Sequence, residues 1–311
     1  MGFRSNTDRV LFLDIESTYA TPATMTAADA VLAMNSSIRT PADPVSRPID
    51  KPYMGGDPFV LVGKRVELSF EIDLIGAAVV GNASPIGKVL RMCGYAETLT
   101  ASTSAVYAPV LTNADAESAT IDFFWAGVKF RMTGARGALD IEQGIKNFGK
   151  GMIRAIGLLT LPTDAEPYTT IDWSPFQQPP AVEESTWTLE VDAAEVHGSN
   201  FKLSANAEMP LIETSASRQV VWVNRKGAGE LLVVKNDTLA TWDPYDIADG
   251  HTIVTLTSTV NGGAGKITEV AVRAQLSYPE PTEVEGVAAF RIPFTEVPSG
   301  AGDDGNVITF T

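Results

Sequence analysis

"FRMTGARGALDIEQG" runs from Phe130 to Gly144, and "TEVAVRAQLSYPEP" runs from Thr268 to Pro281. In both, polar and apolar residues roughly alternate, the two-residue period of a strand with one face buried and the other wet. Each phrase is followed by a second arginine-bearing one. Arg136 precedes Arg154 in "GMIRAIGLL", and Arg273 precedes Arg291 in "AAFRIPF", with one constant offset (273 − 136 = 291 − 154 = 137). A strand pattern repeated at a fixed spacing reads as an internal duplication.

The flanking segments repeat their order too. "RVELSFEIDLIGA" places Val66, Leu68, Phe70, Ile72 and Leu74 on one face and Glu67, Ser69, Glu71 and Asp73 on the other, a half-buried strand. "SPIGKVLRMCG" reads as a helix capped by Ser84, with Pro85 in its first turn and Gly94 as its stop. Ile86, Val89, Leu90 and Cys93 share one side of it. Strands follow near 105–111, 119–125, 128–139 and 151–161, with "AGV" at 126–128 as a tight hairpin. In the second half, "FKLSANAEMPLIE" and "ELLVVKND" read as strands. "TWDPYDIADG" is a short helix capped by Asp243 and stopped by Gly250. "HTIVTLTSTV" is a strand, "NGGAG" a hairpin turn, and two arginine-bearing strands close the set.

Two proline-rich stretches interrupt this pattern. Arg39 to Lys64 carries five prolines, which remove ladder donors, so it reads as a long loop and not as a central strand. Pro162 to Ser185 reads as a linker. The fold expected is mainly β: two tandem β-barrel or sandwich domains, residues 1–165 and 186–311, each with one flanking α-helix, joined by 166–185.

The charge argues against a nucleic-acid grip. The net charge is −15, with 23 Lys and Arg against 38 Asp and Glu. Residues 168–311 hold 8 of those cations and 20 of the acids, so the second half repels phosphate most strongly. No apolar run approaches the roughly 18 residues that span a bilayer. The apolar stretch Val10–Leu13 is too short for a secretory leader, and Asn6 stands where myristoylation needs Ser or Thr. The single cysteine, Cys93, reads as a buried structural thiol.

Catalytic motifs are missing. "GNASPIGKV" has the wrong glycine spacing for a phosphate loop, and Val89 stands where magnesium needs a hydroxyl. There is no G-x-S-x-G. His197 and His251 match no zinc spacing and read as solvated turn residues. Asp243, Asp246 and Asp249 are explained by a capped helix better than by a calcium loop. No cofactor, no metal and no enzyme are expected.

In this order of elements and phrases the chain resembles the major tail tube proteins of long-tailed bacteriophages. The resemblance rests on "YATPATMTAADAVLAMNSSI", "PIGKVLRMCGYAETLTASTSAVYAPV", "FRMTGARGALDI", "DWSPFQQP" and the ending "GDDGNVITFT". It implies a structural virion subunit, made in the host cytoplasm, whose rings stack into a conduit for DNA ejection. The ring is a homohexamer, or a homotrimer of fused pairs with pseudo-sixfold symmetry; the duplication favours the trimer. The implied partners are further copies, a tape measure protein, and tail terminator or distal tail proteins. Duplex DNA passes without specific binding, and no membrane is involved. The alternative is a tandem β-sandwich binding module, an adhesin or carbohydrate-binding protein of a phage tail or cell surface.

Geometry permits the conduit. Four strands from each of six domains make a wall of about 24, with a circumference of roughly 160 Å at a tilt of about 45°. The bore left is about 40 Å, wide enough for a duplex of roughly 20 Å. A basic bore would hold DNA through counterion release, so Glu67, Glu71 and Asp73 are expected to face it. The loop residues Arg39, Arg47, Lys51 and Tyr53 are expected to dock on an adjacent ring. Arg136, Arg154, Arg273 and Arg291 are expected to pair with acids at domain contacts.

Overall fold

A computed structural model describes residues 5, 7–168, 170–235 and 242–311. The Met1–Gly2 start and Asn6 lie outside the described residues, as do Asn236 and Asp237 at the end of one expected strand. The chain is mainly β, with antiparallel pairing throughout and two short helices.

The first half opens with β1 (Arg9–Ile15), β2 (Ala30–Val31) and β3 (Met34–Arg39). β4 (Asp43–Ser46) and β5 (Phe59–Val62) follow, so the stretch expected as a loop is a two-stranded hairpin arm. Its prolines are tolerated because no third strand asks for their missing donors. β6 (Arg65–Asp73) alternates as expected: Val66, Leu68, Phe70 and Ile72 are each no more than 2% exposed. Burying each such side chain contributes about 1.5–3 kcal/mol. α1 is Gly87–Met92 and starts later than the sequence suggests. Ile86, not Ser84, holds the N-cap position, but the Ser84 hydroxyl accepts from the Ile86 amide at 3.2 Å while it donates to the Ile75 carbonyl.

β7 (Tyr95–Thr100) and β8 (Ser104–Pro109) form a hairpin. β9 (Ala119–Trp125) and β10 (Val128–Gly144) form another, turned by Ala126 and Gly127. Both turn residues have positive φ (49° and 81°), as a two-residue primed turn requires. β11 (Asn147–Phe148) leads into β12 (Lys150–Asp164). In the linker, β13 (Ala181–Val182) pairs with β11. Tyr168 and Ile171 pack over Phe12 and Phe124, so the linker covers the outer faces of β1 and β9.

The second half contains β14 (Trp187–Val191), β15 (Ala194–Val196), β16 (Gly198–Ser204), β17 (Ala207–Glu208) and β18 (Leu211–Glu213). β19 (Arg218–Val220), β20 (Asn224–Arg225) and β21 (Ala228–Val234) follow, then α2 (Pro244–Asp249). Asp243 caps α2 by accepting from the amides of Tyr245 and Asp246. β22 (Ile253–Asn261), β23 (Ile267–Leu276), β24 (Glu280–Val284), β25 (Val287–Glu296) and β26 (Asn306–Phe310) complete the chain.

The two halves share one strand order. In the first it is β3-β6-β12-β10-β9-β1, with β2 on the far side of β1. In the second it is β16-β21-β25-β23-β22-β14, with β15 beyond β14. A short helix follows β6 and β21 alike. One apolar core runs through both halves, from Leu11 to Phe310. Hydrogen-bonded pairing crosses between the halves at β10–β16 and at β8–β26.

Near the second crossing, the Tyr95 hydroxyl donates to Asn306 at 2.6 Å, and Asn306 donates to Glu296 at 2.6 Å. Burial drives the Glu296 carboxyl above its ordinary value, against that hydrogen bond and the Arg225 charge. Such a carboxyl holds its proton to higher pH than in the unfolded chain. It therefore removes stability as pH rises from the ordinary 4.5 through its folded value. Glu296→Gln is expected to raise the urea midpoint at pH 7.5 and to lose that advantage as pH falls toward the unfolded value. Identical midpoints for the two proteins at pH 7.5 would refute this.

Candidate assembly surface

The alternation of β6 fixes which side chains leave the core. Glu67, Ser69, Glu71 and Asp73 lie on the face away from it. Pairing carries that face across eight strands, in the order β3-β6-β12-β10-β16-β21-β25-β24. Four of these strands come from each half.

The match between the halves extends to single residues on this face. Arg39 stands opposite Glu67 in β3–β6, and Lys202 stands opposite Glu230 in β16–β21. Both pairs are bridged, at 3.3 and 3.9 Å. The two pairs are related by one offset (202 − 39 = 230 − 67 = 163). Arg154 stands opposite Ser69 and Arg291 opposite Leu232, two places along from those acids in each half. The two late arginines of the sequence repeat therefore occupy one structural position.

Six cations on this face sit beside acids. Arg39 and Arg65 bridge Glu67, and Lys150 bridges Glu71. Arg154 bridges Asp140 at 3.2 Å, and Lys202 reaches Glu142 as well as Glu230. Arg291 bridges Glu230 at 2.6 Å and Glu280 at 3.4 Å, which raises its pKa. Exposed pairs of this kind contribute about 0–1 kcal/mol each to stability; what they change is the field seen by an anion. Burial pushes the Asp73 carboxyl up, with Lys150 opposing.

Arg136 corrects the expectation that it pairs with an acid. It is 6% exposed and donates to the Asn113 side chain at 2.7 Å and to the carbonyls of Asn113 and Ala116. Its guanidinium lies 5.5 Å from the Tyr19 ring and 5.9 Å from the Trp222 ring. Burial lowers its pKa; neutral oxygens and aromatic faces hold it, and no ion pair to it is formed among the described residues. Arg273 is half-buried with its Nε unbonded. Arg47 and Tyr53 are exposed on the arm, and Lys51 bridges Asp57 within it. Trp125 is 39% exposed at the end of β9. Asp249 accepts from the Tyr278 hydroxyl, and His197 and His251 are exposed. Among the described residues, no group of three or more His, Cys, Asp or Glu side chains is placed to hold a metal ion. No helix among them is long and apolar enough to cross a membrane.

The joint at β10–β16 is the feature that sequence reading did not find. Asp140 stands opposite Ser204 and Glu142 opposite Lys202. β24 holds, beside β25, the place that the end of β10 holds beside β12: Glu280 faces Arg291 as Ala138 faces Arg154. β3 is likewise the counterpart of β16. Yet β24 pairs only with β25, and β3 only with β6, among the described residues. The chain thus has one completed joint inside it, and the counterparts of that joint's two strands each keep one margin unpaired among the described residues. Alternation alone cannot reveal this, because it reports which face is buried and says nothing of which edge is paired.

No protein-family model matches the chain, and no curated protein matches it.

Proposed function

We propose that this chain is the repeating subunit of a self-assembling tube that conducts duplex DNA, as the resemblance to phage major tail tube proteins implies. One observation carries the reading: the internal β10–β16 joint, with its two counterpart margins left open at β3 and β24. An open sheet margin is a template for another chain. Repeating the internal joint between copies sets β24 of one against β3 of the next. Eight strands per copy, taken three times, is the wall of about 24 strands that a 40 Å bore needs. The face with paired cations then lines the bore, and a duplex meets few free ammonium or guanidinium groups to bind it. No catalytic step is assigned.

By the register of the internal joint, Val284 (the counterpart of Glu142) meets Arg39 (the counterpart of Lys202). Val284→Lys sets like charges opposite each other and is expected to raise the concentration needed for assembly by about tenfold or more. Adding Arg39→Glu to that variant is expected to restore assembly. Light scattering measures the threshold, and negative-stain microscopy checks for rings or tubes with a central hole. Dispersed wild-type monomers at high concentration would sink the proposal. They would favour a tandem β-sandwich binding module, whose supporting feature is the partial exposure of Trp125 and of Trp173.

A further inference from the structure

We propose that the β4–β5 arm of one copy lies across the second half of the neighbouring copy, just as the chain's own second arm lies across its first half. This rests on the assembly reading above and assigns the arm's partner within it.

The two arms are counterparts. Each springs from the same strand pair, and each spans the same length between its bridged residues (67 − 39 = 230 − 202 = 28). Both fold back as antiparallel hairpins, β4–β5 in one and β17–β20 with β18–β19 in the other. Their surroundings differ. The second arm is docked: Met209 and Val220 are buried against Ala138, with Ile156 and Trp222 around them. Its backbone is held as well. The Val220 amide donates to the Tyr19 hydroxyl at 2.6 Å, and the Trp222 amide and carbonyl both bond the Asn113 side chain. Gly94 leaves room for the Trp222 ring, since a Cβ there would lie 1.8 Å from it.

Among the described residues, the first arm has no such cover. Phe59, Val60, Leu61 and Val62 of β5 are 42–68% exposed, as is Val45 opposite them. Both faces of a two-stranded hairpin are therefore wet and apolar, which a hairpin does not sustain alone. The second arm rests on the half whose β10 adjoins its own β16. The half whose β24 adjoins β3 belongs to another copy, and so the first arm's seat lies there.

The seat can be identified on this chain. A groove at Arg39, Glu67, Arg154 and Ile156 is walled by Ala207 and Met209 of the second arm. Its counterpart at Lys202, Glu230, Arg291 and Pro293 has no residue of β4, β5 or the second arm's hairpin in its wall among the described residues. At the shared offset, Pro44 and Ser46 of a neighbour's arm take the places of Ala207 and Met209. The sequence suggested docking on an adjacent ring; the internal template places the arm on the next copy within the ring.

Ser46→Cys with Pro293→Cys tests this, because the native Cys93 is buried. Oxidised assemblies are expected to give covalent dimers and trimers on non-reducing gels, and either single variant none. Phe59→Asp with Leu61→Asp, at sites already exposed, is expected to leave the monomer's melting unchanged and raise the assembly threshold by at least about tenfold. If wild type assembles, but the cysteines fail to join chains and the aspartates leave the threshold unmoved, the arm proposal falls and the tube reading stands. If wild type never assembles, both fall.

Discussion

Arg131→Met is expected to lower the folding free energy by about 3–5 kcal/mol. Asp122 is fully buried on β9, and Arg131 stands directly opposite it on β10. Its carboxylate accepts from Nε and Nη2 of Arg131, each at 2.6 Å. This two-point bridge satisfies a charge that water cannot reach, because the linker residue Tyr168 packs over that face of β9. Methionine keeps the volume of the arginine stem and removes the cation, so the carboxylate is left buried and alone. Asp122→Leu with Arg131→Met removes both charges and is expected to recover most of the loss. Urea denaturation of the three proteins at pH 7.5 decides. A single variant within about 1 kcal/mol of wild type, or a double variant no better than the single, refutes the account.

Glu16→Ala is expected to cost about 3 kcal/mol or more, because one carboxylate serves four donors. It accepts from the Ala20 and Gly134 amides at 2.8 and 2.9 Å, and from the Ser118 and Thr120 hydroxyls at 2.6 and 2.8 Å. It is 7% exposed, so water cannot replace those bonds without opening the site. The effect extends to assembly. Glu16 orders the turn that carries Tyr19, and Tyr19 receives the docked second arm through Val220. Glu16→Ala should therefore also loosen that arm, read as a red shift in tryptophan emission from Trp222 before global unfolding. Unchanged emission, together with a loss below about 1 kcal/mol, would show that Glu16 is not the tie.

Neither the Asp122–Arg131 pair nor the four-donor site was legible beforehand. "ATIDFFW" reads as an apolar strand with one acid, and only the linker folding over β9 makes that acid inaccessible. The prolines of the arm excluded a central strand correctly. They did not exclude a hairpin whose outer edges need no donors. β24, in "EPTEV", was hidden by its proline and its acids, the residues an exposed margin tolerates.

What the sequence determined by itself is local and periodic. The alternation of Val66 to Leu74, the apolar side of α1, the Ala126–Gly127 turn and the Asp243 cap each follow from residues within a few positions of one another. The repeat of Arg136 and Arg154 at Arg273 and Arg291 is legible in another way, as one constant spacing. What only the tertiary structure decided is pairing: that β10 meets β16, that β3 and β24 each keep one margin unpaired among the described residues, and that one arm is docked while its counterpart stands clear. The physical reason is that side-chain period selects a face, whereas an edge is chosen by backbone hydrogen bonds between strands far apart in the chain, and every strand's edge offers the same donors and acceptors.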